Sequence, residues 1–216
     1  MTTDWIEASR RAEERYVDGE RRLPASGDER QRQLTRMGNA AGAAGLAALM
    51  AGGDGREWFA RAAERYRESW PEAPPGSWGR PIGAIKARIL AGDWEGAEAD
   101  ARWALEIGAA EAESPIGRYA SALACLVLGE WDDARVHADY IRIRDEFPSD
   151  VGDALAFVAA EDVLGYVDAI ERVLKSFETR DAYLEDLPVA DTVLVLQALA
   201  GRRGMSAELS SPLLPA

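Results

Sequence analysis

A short turn motif occurs twice in this sequence, at an interval of 37 residues. Residues 92–97 read Gly-Asp-Trp-Glu-Gly-Ala, and residues 129–134 read Gly-Glu-Trp-Asp-Asp-Ala. Glycine is typical of the left-handed residue that ends a helix, and the helix dipole favours an acidic residue at the start of the next helix. The tryptophan ring would fill the space inside the turn, and the alanine would let the two helices pack closely. The motif therefore predicts two antiparallel helical hairpins.

The rest of the chain is also predicted to be helical. Apolar residues recur at spacings of three and four along most of it, and no segment is persuasive as a strand. The run 192–196 contains β-branched residues, but its continuation into good helix formers favours a helix. The predicted helices are residues 4–19, 28–50, 57–69, 81–92, one that begins at 93–94, 115–129, 130–145, a third pair from Asp150 to about residue 179 that is broken near Gly165, and 188–201.

Two weaker copies of the turn motif are predicted as well. One begins at Gly165 and continues through Tyr166 to Ala169, and an earlier one occupies residues 55–58 and leads to Ala62. Together with the two clear copies they indicate a hairpin that is repeated along the chain. We therefore expect an all-α fold made of stacked antiparallel helical hairpins.

These hairpins are expected to form one domain that spans residues 1–216. The run from Gly38 to Gly53 is dominated by Ala and Gly, and a flexible linker would be richer in Ser and Pro. We interpret it as a helix that packs closely on a neighbour. The expected organisation is an N-terminal helical pair at 3–53, helical-hairpin repeats at 54–180, and a buried C-terminal helix with an extended tail at 181–216.

The turn with its following small residues resembles the tetratricopeptide-type repeat. The resemblance covers residues 79–145 well and residues 54–178 loosely. The interval of 37 residues is longer than the usual 34 of that family. The first helix of each pair also lacks the family's glycine and tyrosine. The resemblance implies a tetratricopeptide-like α-superhelix whose concave groove binds peptides or partner proteins without catalysis.

The charge balance disfavours some partners. The chain has 38 acidic and 25 basic residues, for a formal net charge of −13. Contact with nucleic acid depends on neutralising phosphates with Lys and Arg, so no nucleic-acid partner is expected. The N-terminus lacks the basic start and apolar run of a signal peptide, and no run is apolar enough to cross a bilayer. We therefore expect no membrane partner and a cytoplasmic location.

No residue pattern predicts catalysis, a metal site or a cofactor. The single cysteine, Cys125, lies in an apolar run and is interpreted as a core residue. The single histidine, His137, follows Asp133 by four residues, which predicts a surface ion pair on one helix. Phosphate-binding glycine loops of the nucleotide-binding type are absent from the sequence. We expect the protein not to be an enzyme and to carry no cofactor.

One cluster of residues is a candidate binding site. The stretch 70–81 contains four prolines and two glycines in twelve residues, so it forbids a continuous helix. Aromatic and arginine side chains are enriched in binding hot spots, and long irregular loops often carry function. The alternative is that the tryptophans only cap the core. The candidate residues are Trp58, Tyr66, Trp70, Trp78, Arg80 and Lys86.

Three functions are compatible with these patterns. The first is a non-enzymatic module that binds a protein or peptide partner on its helical-repeat surface. The second is an immunity or antidote protein that neutralises a toxin, since such proteins are often small, acidic and helical and the ending from Arg202 to Pro215 resembles some of them. The third is a small-molecule-binding or enzymatic pocket near the loop between Trp70 and Lys86.

Overall fold

Residues 3–216, which a computed structural model describes, contain ten α-helices and no strand. The all-α prediction is confirmed, and most helices begin and end within three residues of their expected bounds. The helices are α1 (Trp5–Arg21), α2 (Asp28–Met50), α3 (Arg56–Ser69), α4 (Gly79–Ala91), α5 (Trp94–Glu106), α6 (Pro115–Leu128), α7 (Trp131–Arg142), α8 (Ser149–Ala160), α9 (Val163–Glu178) and α10 (Asp191–Gly201).

The helices form a stack of hairpins. Each helix from α1 to α9 packs against the next one along the chain. The even-numbered helices also contact one another, α2 with α4, α4 with α6 and α6 with α8, so they form one continuous row. We call the surface of this row the inner face. Since α2, α3 and α4 pack as successive antiparallel neighbours, α2 and α4 run in the same direction.

Both clear copies of the turn motif adopt the expected geometry. Gly92 has a φ of 69° and Gly129 a φ of 77°, and each ends its helix in the left-handed region. The Asp93 carboxylate accepts a hydrogen bond of 2.9 Å from the backbone N–H of Gly96 and so caps α5. The rings of Trp94 and Trp131 are half-buried against the core.

The third turn lies four residues before the predicted position. α8 ends at Ala160, and the next residue, Glu161, has a left-handed φ of 57°. Asp162 caps α9 by accepting a 3.0 Å hydrogen bond from the Gly165 N–H. Gly165 is therefore inside the first turn of α9, and the predicted break there is wrong. Glutamate occupies the place that glycine holds in the other two turns, which is why the glycine misled the alignment. The weak copy at residues 55–58 differs too, since Gly55 has a right-handed φ of −95°.

The small residues of α2 allow close packing, as expected. A Cβ atom at Gly38 would lie 2.9 Å from the ring of Tyr66, and one at Gly45 would lie 2.7 Å from the ring of Phe59. Both distances are too short for a real contact. Glycine at these positions therefore lets α3 pack the rings of Phe59 and Tyr66 directly on the backbone of α2.

The last helix, α10, fills much of the inner face. It packs against α4, α8 and α9, and its buried side chains belong to the same core cluster as those of α4, α6 and α8. The tail folds back along α10, where the Leu213 carbonyl accepts a 2.9 Å hydrogen bond from the Ala190 N–H. The inner face from α4 to α8 is thus covered by the chain itself.

Two arginines at the end of α10 cover the tryptophans of the two turns. The guanidinium carbon of Arg202 lies 4.5 Å from the centre of the Trp94 ring, and that of Arg203 lies 4.2 Å from the Trp131 ring. Arg202 also donates a 3.0 Å hydrogen bond to the carbonyl of Val127, near the end of α6. Arg203 donates 2.9 Å and 2.5 Å hydrogen bonds to the carbonyls of Val158 and Ala159, at the end of α8. These contacts hold α10 across the stack. Those to Val127 and Ala159 pair carbonyls at the ends of α6 and α8 that lack a helical partner, and the Val158 carbonyl also accepts from the Glu161 N–H at 3.2 Å.

Candidate ligand pocket

The inner face between α2 and α4 is not filled by α10. A cavity of about 470 Å³ lies there. α2 and α4 form its two walls, and Phe59, Ala62 and Tyr66 of α3 form its floor. Its cover is the connection between α9 and α10, residues 179–190, which we call the roof segment.

The α2 wall is built by one helical face. Thr35, Asn39, Gly42 and Leu46 line the cavity, and their spacings of four, three and four place them in one row. Polar side chains stand at the beginning of this row and apolar ones at its end. The wall is therefore polar at one end of the cavity and apolar at the other.

The α4 wall repeats this arrangement. Arg80, Gly83, Ala87 and Leu90 line the cavity from the first turn of α4 to its last. At a rise of 1.5 Å per residue, the ten steps from Arg80 to Leu90 span about 15 Å. Because α2 and α4 run in the same direction, the polar ends of the two walls are at the same end of the cavity.

Tyr66 is held in the floor by two glycines. Its ring lies against Gly38 of α2 and Gly83 of α4, where a Cβ atom would approach it to 2.9 Å and 2.6 Å. Its hydroxyl donates a 2.8 Å hydrogen bond to the Asn39 Oδ1 atom. Burial raises the pKa of Tyr66, so the phenol is neutral at physiological pH. Asn39 lines the cavity, and its amide nitrogen makes no hydrogen bond to the described residues.

Lys86 connects the α4 wall to α10. Its ammonium pairs with the Asp191 carboxylate and donates a 3.1 Å hydrogen bond to the Thr192 hydroxyl. Burial disfavours the charged form of Lys86, but the neighbouring Asp191 carboxylate outweighs it and raises the pKa of the ammonium. The pair is therefore ionised and its two charges offset each other.

Arg80 carries a positive charge at the polar end of the cavity. Its Nε atom donates a 2.9 Å hydrogen bond to the Ser69 hydroxyl, and its Nη2 atom donates to the amide oxygen of Gln31. Both acceptors are neutral. Within residues 3–216, no carboxylate lies at ion-pair distance from this guanidinium, and its Nη1 atom makes no hydrogen bond. Burial lowers the pKa of Arg80, although a guanidinium stays charged at physiological pH.

A second arginine of this kind belongs to the roof segment. Arg180 lines the cavity and stacks on Phe177, its guanidinium carbon 3.6 Å from the ring centre. It too has no carboxylate partner among the residues that the structure describes. The two acids of the lining are both engaged, Asp191 with Lys86 and Glu185 with Arg15 at 3.3 Å. The lining therefore has an excess of positive charge in a chain whose net charge is −13.

Four of the six candidate residues line the cavity. Tyr66, Trp78, Arg80 and Lys86 come together there. Trp58 and Trp70 do not line it. Trp58 packs edge-on against Tyr16, with ring centres 5.5 Å apart, and Trp70 packs between Trp78 at 5.6 Å and Trp103 at 5.9 Å.

Sequence reasoning missed the α2 wall and the roof segment. Asn39 lies in a run that was interpreted only as a packing surface, and Arg180 and Asp191 are about one hundred residues from the candidate loop. The sequence did indicate that Lys86 needs an acidic partner. Lys86 is one of two lysines in the chain and stands among the apolar residues of α4, so it required a carboxylate partner. The sequence does not indicate which of the 38 acids supplies it.

His137 and Cys125 lie elsewhere, in the core of α6 and α7. His137 is 7% exposed and its Nδ1 atom is 3.3 Å from the Nη1 atom of Arg118, so the predicted surface pair with Asp133 is wrong. Burial and the Arg118 charge lower the pKa of His137. Cys125 is buried as expected, and burial raises the pKa of its thiol to about 12.

The rest of the described chain adds no further centre. From residue 3 onward, no three His, Cys, Asp or Glu side chains are grouped so as to hold a metal ion. No helix in the same part of the chain is long and apolar enough to cross a membrane. Comparison of the sequence with protein-family models, and of the chain with curated proteins and with solved structures, found no match.

Proposed function

We propose that this protein is a non-enzymatic binding protein that holds a small ligand between α2 and α4. The observation that carries the proposal is the cavity itself. Its 470 Å³ fall within the range of about 300–1,000 Å³ that is usual for ligand sites. Its lining is mostly apolar with a small number of polar groups, and this combination is typical of sites that fix the orientation of a ligand.

Binding without chemistry is supported by the state of the polar groups in the lining. Lys86 is charged and paired with Asp191, and Tyr66 is neutral and bonded to Asn39. A general base or a nucleophile needs a free or activated group, which neither pair supplies. His137 and Cys125, the side chains most often used for such roles, lie outside the lining.

A peptide ligand is the second candidate, and the roof segment favours it. Glu185 and Asp186 both have a φ of 56°, a left-handed conformation that costs a residue other than glycine about 1–2 kcal/mol. Leu184, next to them, is 67% exposed. Displacement of the roof segment would release this strain and open the groove between α2 and α4, which is the concave site that a tetratricopeptide-like architecture would offer.

An immunity function and a cytoplasmic location stay predictions. The C-terminal residues whose sequence suggested an immunity protein have structural roles within this fold. Arg202 and Arg203 hold α10 across the stack, and Leu213 is buried. Those residues therefore give no separate support for a toxin partner.

The proposal can be tested by filling the cavity. Gly42 lines it, and a Cβ atom there would have no neighbour within 4 Å. Gly42→Trp should therefore place its ring in the cavity without disturbing the fold. Gly201→Trp is the matched control. A Cβ atom at Gly201 would also have no neighbour within 4 Å, and this residue is at the C-terminal end of α10, outside the cavity lining.

The probe is decanol, a neutral amphipath, and binding is measured by isothermal titration calorimetry. We expect saturable binding to the wild type and to Gly201→Trp, and a loss of at least about tenfold in Gly42→Trp. Circular dichroism should show the same helical content in all three proteins. Equal binding of decanol by the two variants, or binding of neither decanol nor its carboxylate analogue decanoate by the wild type, would contradict a ligand site between α2 and α4.

A further inference from the structure

Polarity changes along the length of the cavity in the same sense on both walls. The polar end is formed by Thr35 and Asn39 of α2 and by Arg80 of α4, and the ion pair of Lys86 with Asp191, in which the two charges offset each other, lies between the two ends. The opposite end is formed by Leu46 and Leu90, with the Phe59 ring below them and Leu187 and Val189 of the roof segment above. A ligand that matches this gradient has a polar head and an apolar tail, and it lies along α4 over about 15 Å.

Two groups at the polar end have N–H donors that make no hydrogen bond within the described part of the chain. They are the Nη1 atom of Arg80 and the amide nitrogen of Asn39, whose oxygen accepts from Tyr66. The Thr35 hydroxyl donates a 2.9 Å hydrogen bond to the Gln31 carbonyl, so its oxygen can only accept from a ligand. The Arg80 and Asn39 nitrogens can only donate. The head of the ligand must therefore supply hydrogen-bond acceptors.

The positive charge at the polar end of the cavity also favours a ligand head that accepts hydrogen bonds. Arg80 is bonded only to neutral oxygens, and the first turn of α4 contains no acidic residue. The N-terminal end of the helix dipole therefore adds to the positive potential of the guanidinium. A neutral head would leave a half-buried guanidinium without a counter-charge, whereas an anionic head would provide one.

We infer that the ligand is an anionic amphipath with a carboxylate head bound at Arg80 and an unbranched apolar tail that extends toward Leu46 and Leu90. This inference rests on the proposed function, since it names the ligand class of the same cavity. A carboxylate suits the site because its planar pair of oxygens can accept from one N–H edge of a guanidinium and from the Asn39 amide. Glu185 of the roof segment, whose charge acts on the Tyr66 hydroxyl, is paired with Arg15 at 3.3 Å and does not serve as the counter-charge of Arg80.

The test compares ligands that share one tail and differ in the head. Decanoate, decanol, decylamine and decyl phosphate are titrated into the wild type by calorimetry at low and at moderate salt. We expect decanoate to bind at least about tenfold more tightly than decanol, and decylamine to bind most weakly. The advantage of decanoate should shrink as salt is added, because it depends on a partly solvated charge.

Variants assign the head to Arg80. Arg80→Gln should remove the advantage of decanoate over decanol while leaving the affinity for decanol within about twofold. Arg36→Gln is the matched control, since Arg36 is an exposed arginine of α2 outside this cavity, and it should change neither affinity. If Arg80→Gln does not fold, the series of head groups and its salt dependence on the wild type decide the matter alone.

The outcomes separate this inference from the proposed function. If decanol binds as tightly as decanoate and Gly42→Trp blocks both, the cavity is a ligand site but its ligand is not anionic. Preference for decyl phosphate over decanoate overturns the choice of a carboxylate. If no compound binds, or if Gly42→Trp has no effect on any of them, the proposed function fails as well.

Discussion

The inner face of this protein has two regions that are built alike and covered differently. From α4 to α8 the cover is α10, an apolar helix that places Val193, Leu196 and Leu199 in the same core cluster as the row. Between α2 and α4 the cover is the roof segment, an irregular connection that has no continuous helical face. The cavity of about 470 Å³ lies under the second cover.

A row of helices becomes part of the core or the wall of a ligand site according to the segment that covers it. A helix can present a continuous apolar face, and side chains then fill the space to the density of a protein interior. An irregular segment satisfies its own backbone and leaves space beneath it. The function proposed here follows from that difference and not from any residue type that is special to α2 or α4.

The largest effect should come from truncating the cover of the filled region. Leu196 is 0% exposed, so Leu196→Ala should lower the free energy of unfolding by about 2–5 kcal/mol. Leu46→Ala, at the rim of the cavity, should cost less than about 1.5 kcal/mol because space already exists beside it. Urea denaturation of both variants measures the two values. Equal losses would mean that the two regions are packed alike.

The second largest loss of stability should come from removing the arginine contacts that hold α10 on the stack. Arg203→Lys loses the contact with the Trp131 ring and the paired hydrogen bonds to the Val158 and Ala159 carbonyls, so we expect a loss of roughly 1–3 kcal/mol. The matched change Arg180→Lys, in the roof segment, should stay within about 0.5 kcal/mol. Thermal unfolding of the two proteins compares them. A neutral Arg203→Lys would show that α10 needs no such fastening.

Within α2, two glycines should respond in opposite directions. Gly45→Ala places a Cβ atom 2.7 Å from the Phe59 ring and should destabilise the protein by about 1–3 kcal/mol. Gly42→Ala points into the cavity and should stabilise it by about 0.5–1 kcal/mol, because alanine loses less backbone entropy in a helix. Chemical denaturation measures both. Destabilisation by Gly42→Ala would indicate that the cavity is closed in solution.

The smallest effect concerns pH and belongs to the filled region. The lowered pKa of His137 means that the unfolded chain takes up a proton at a higher pH than the folded one. This contribution to stability is therefore complete above the ordinary value of 6.5 and is lost as the pH falls through the lowered folded value. His137→Gln should flatten the stability profile as the pH falls below the ordinary value of 6.5. An unchanged profile would contradict burial of a neutral imidazole.

Much of the fold could be predicted because its signals are local. Gly92 and Gly129 with their tryptophans mark helix ends that need no information from elsewhere in the chain, and the apolar spacing of α10 predicts its burial. The third turn shows the limit. Glu161 adopts a left-handed conformation that only the surrounding hairpin imposes, so no glycine marks it, and Gly165 misplaced the break by four residues.

The site could be predicted only in part, for a related reason. Trp78, Arg80 and Lys86 are close in sequence and stand out by type, so composition finds them. Asn39 has no such mark, and Asp191 comes near Lys86 only because α10 returns across the whole stack. A cavity is also a property of the cover, and the roof segment carries no motif.

The position and orientation of a ligand between α2 and α4 can be tested directly by crystallography. A crystal of the protein with ω-bromodecanoate gives an anomalous signal from bromine that marks the end of the tail without reference to any variant. We expect a single anomalous peak between Leu46 and Leu90, with electron density for the carboxylate at Arg80. A peak outside the cavity, or none at a saturating concentration, would contradict the assignment of the region between α2 and α4 as the ligand site.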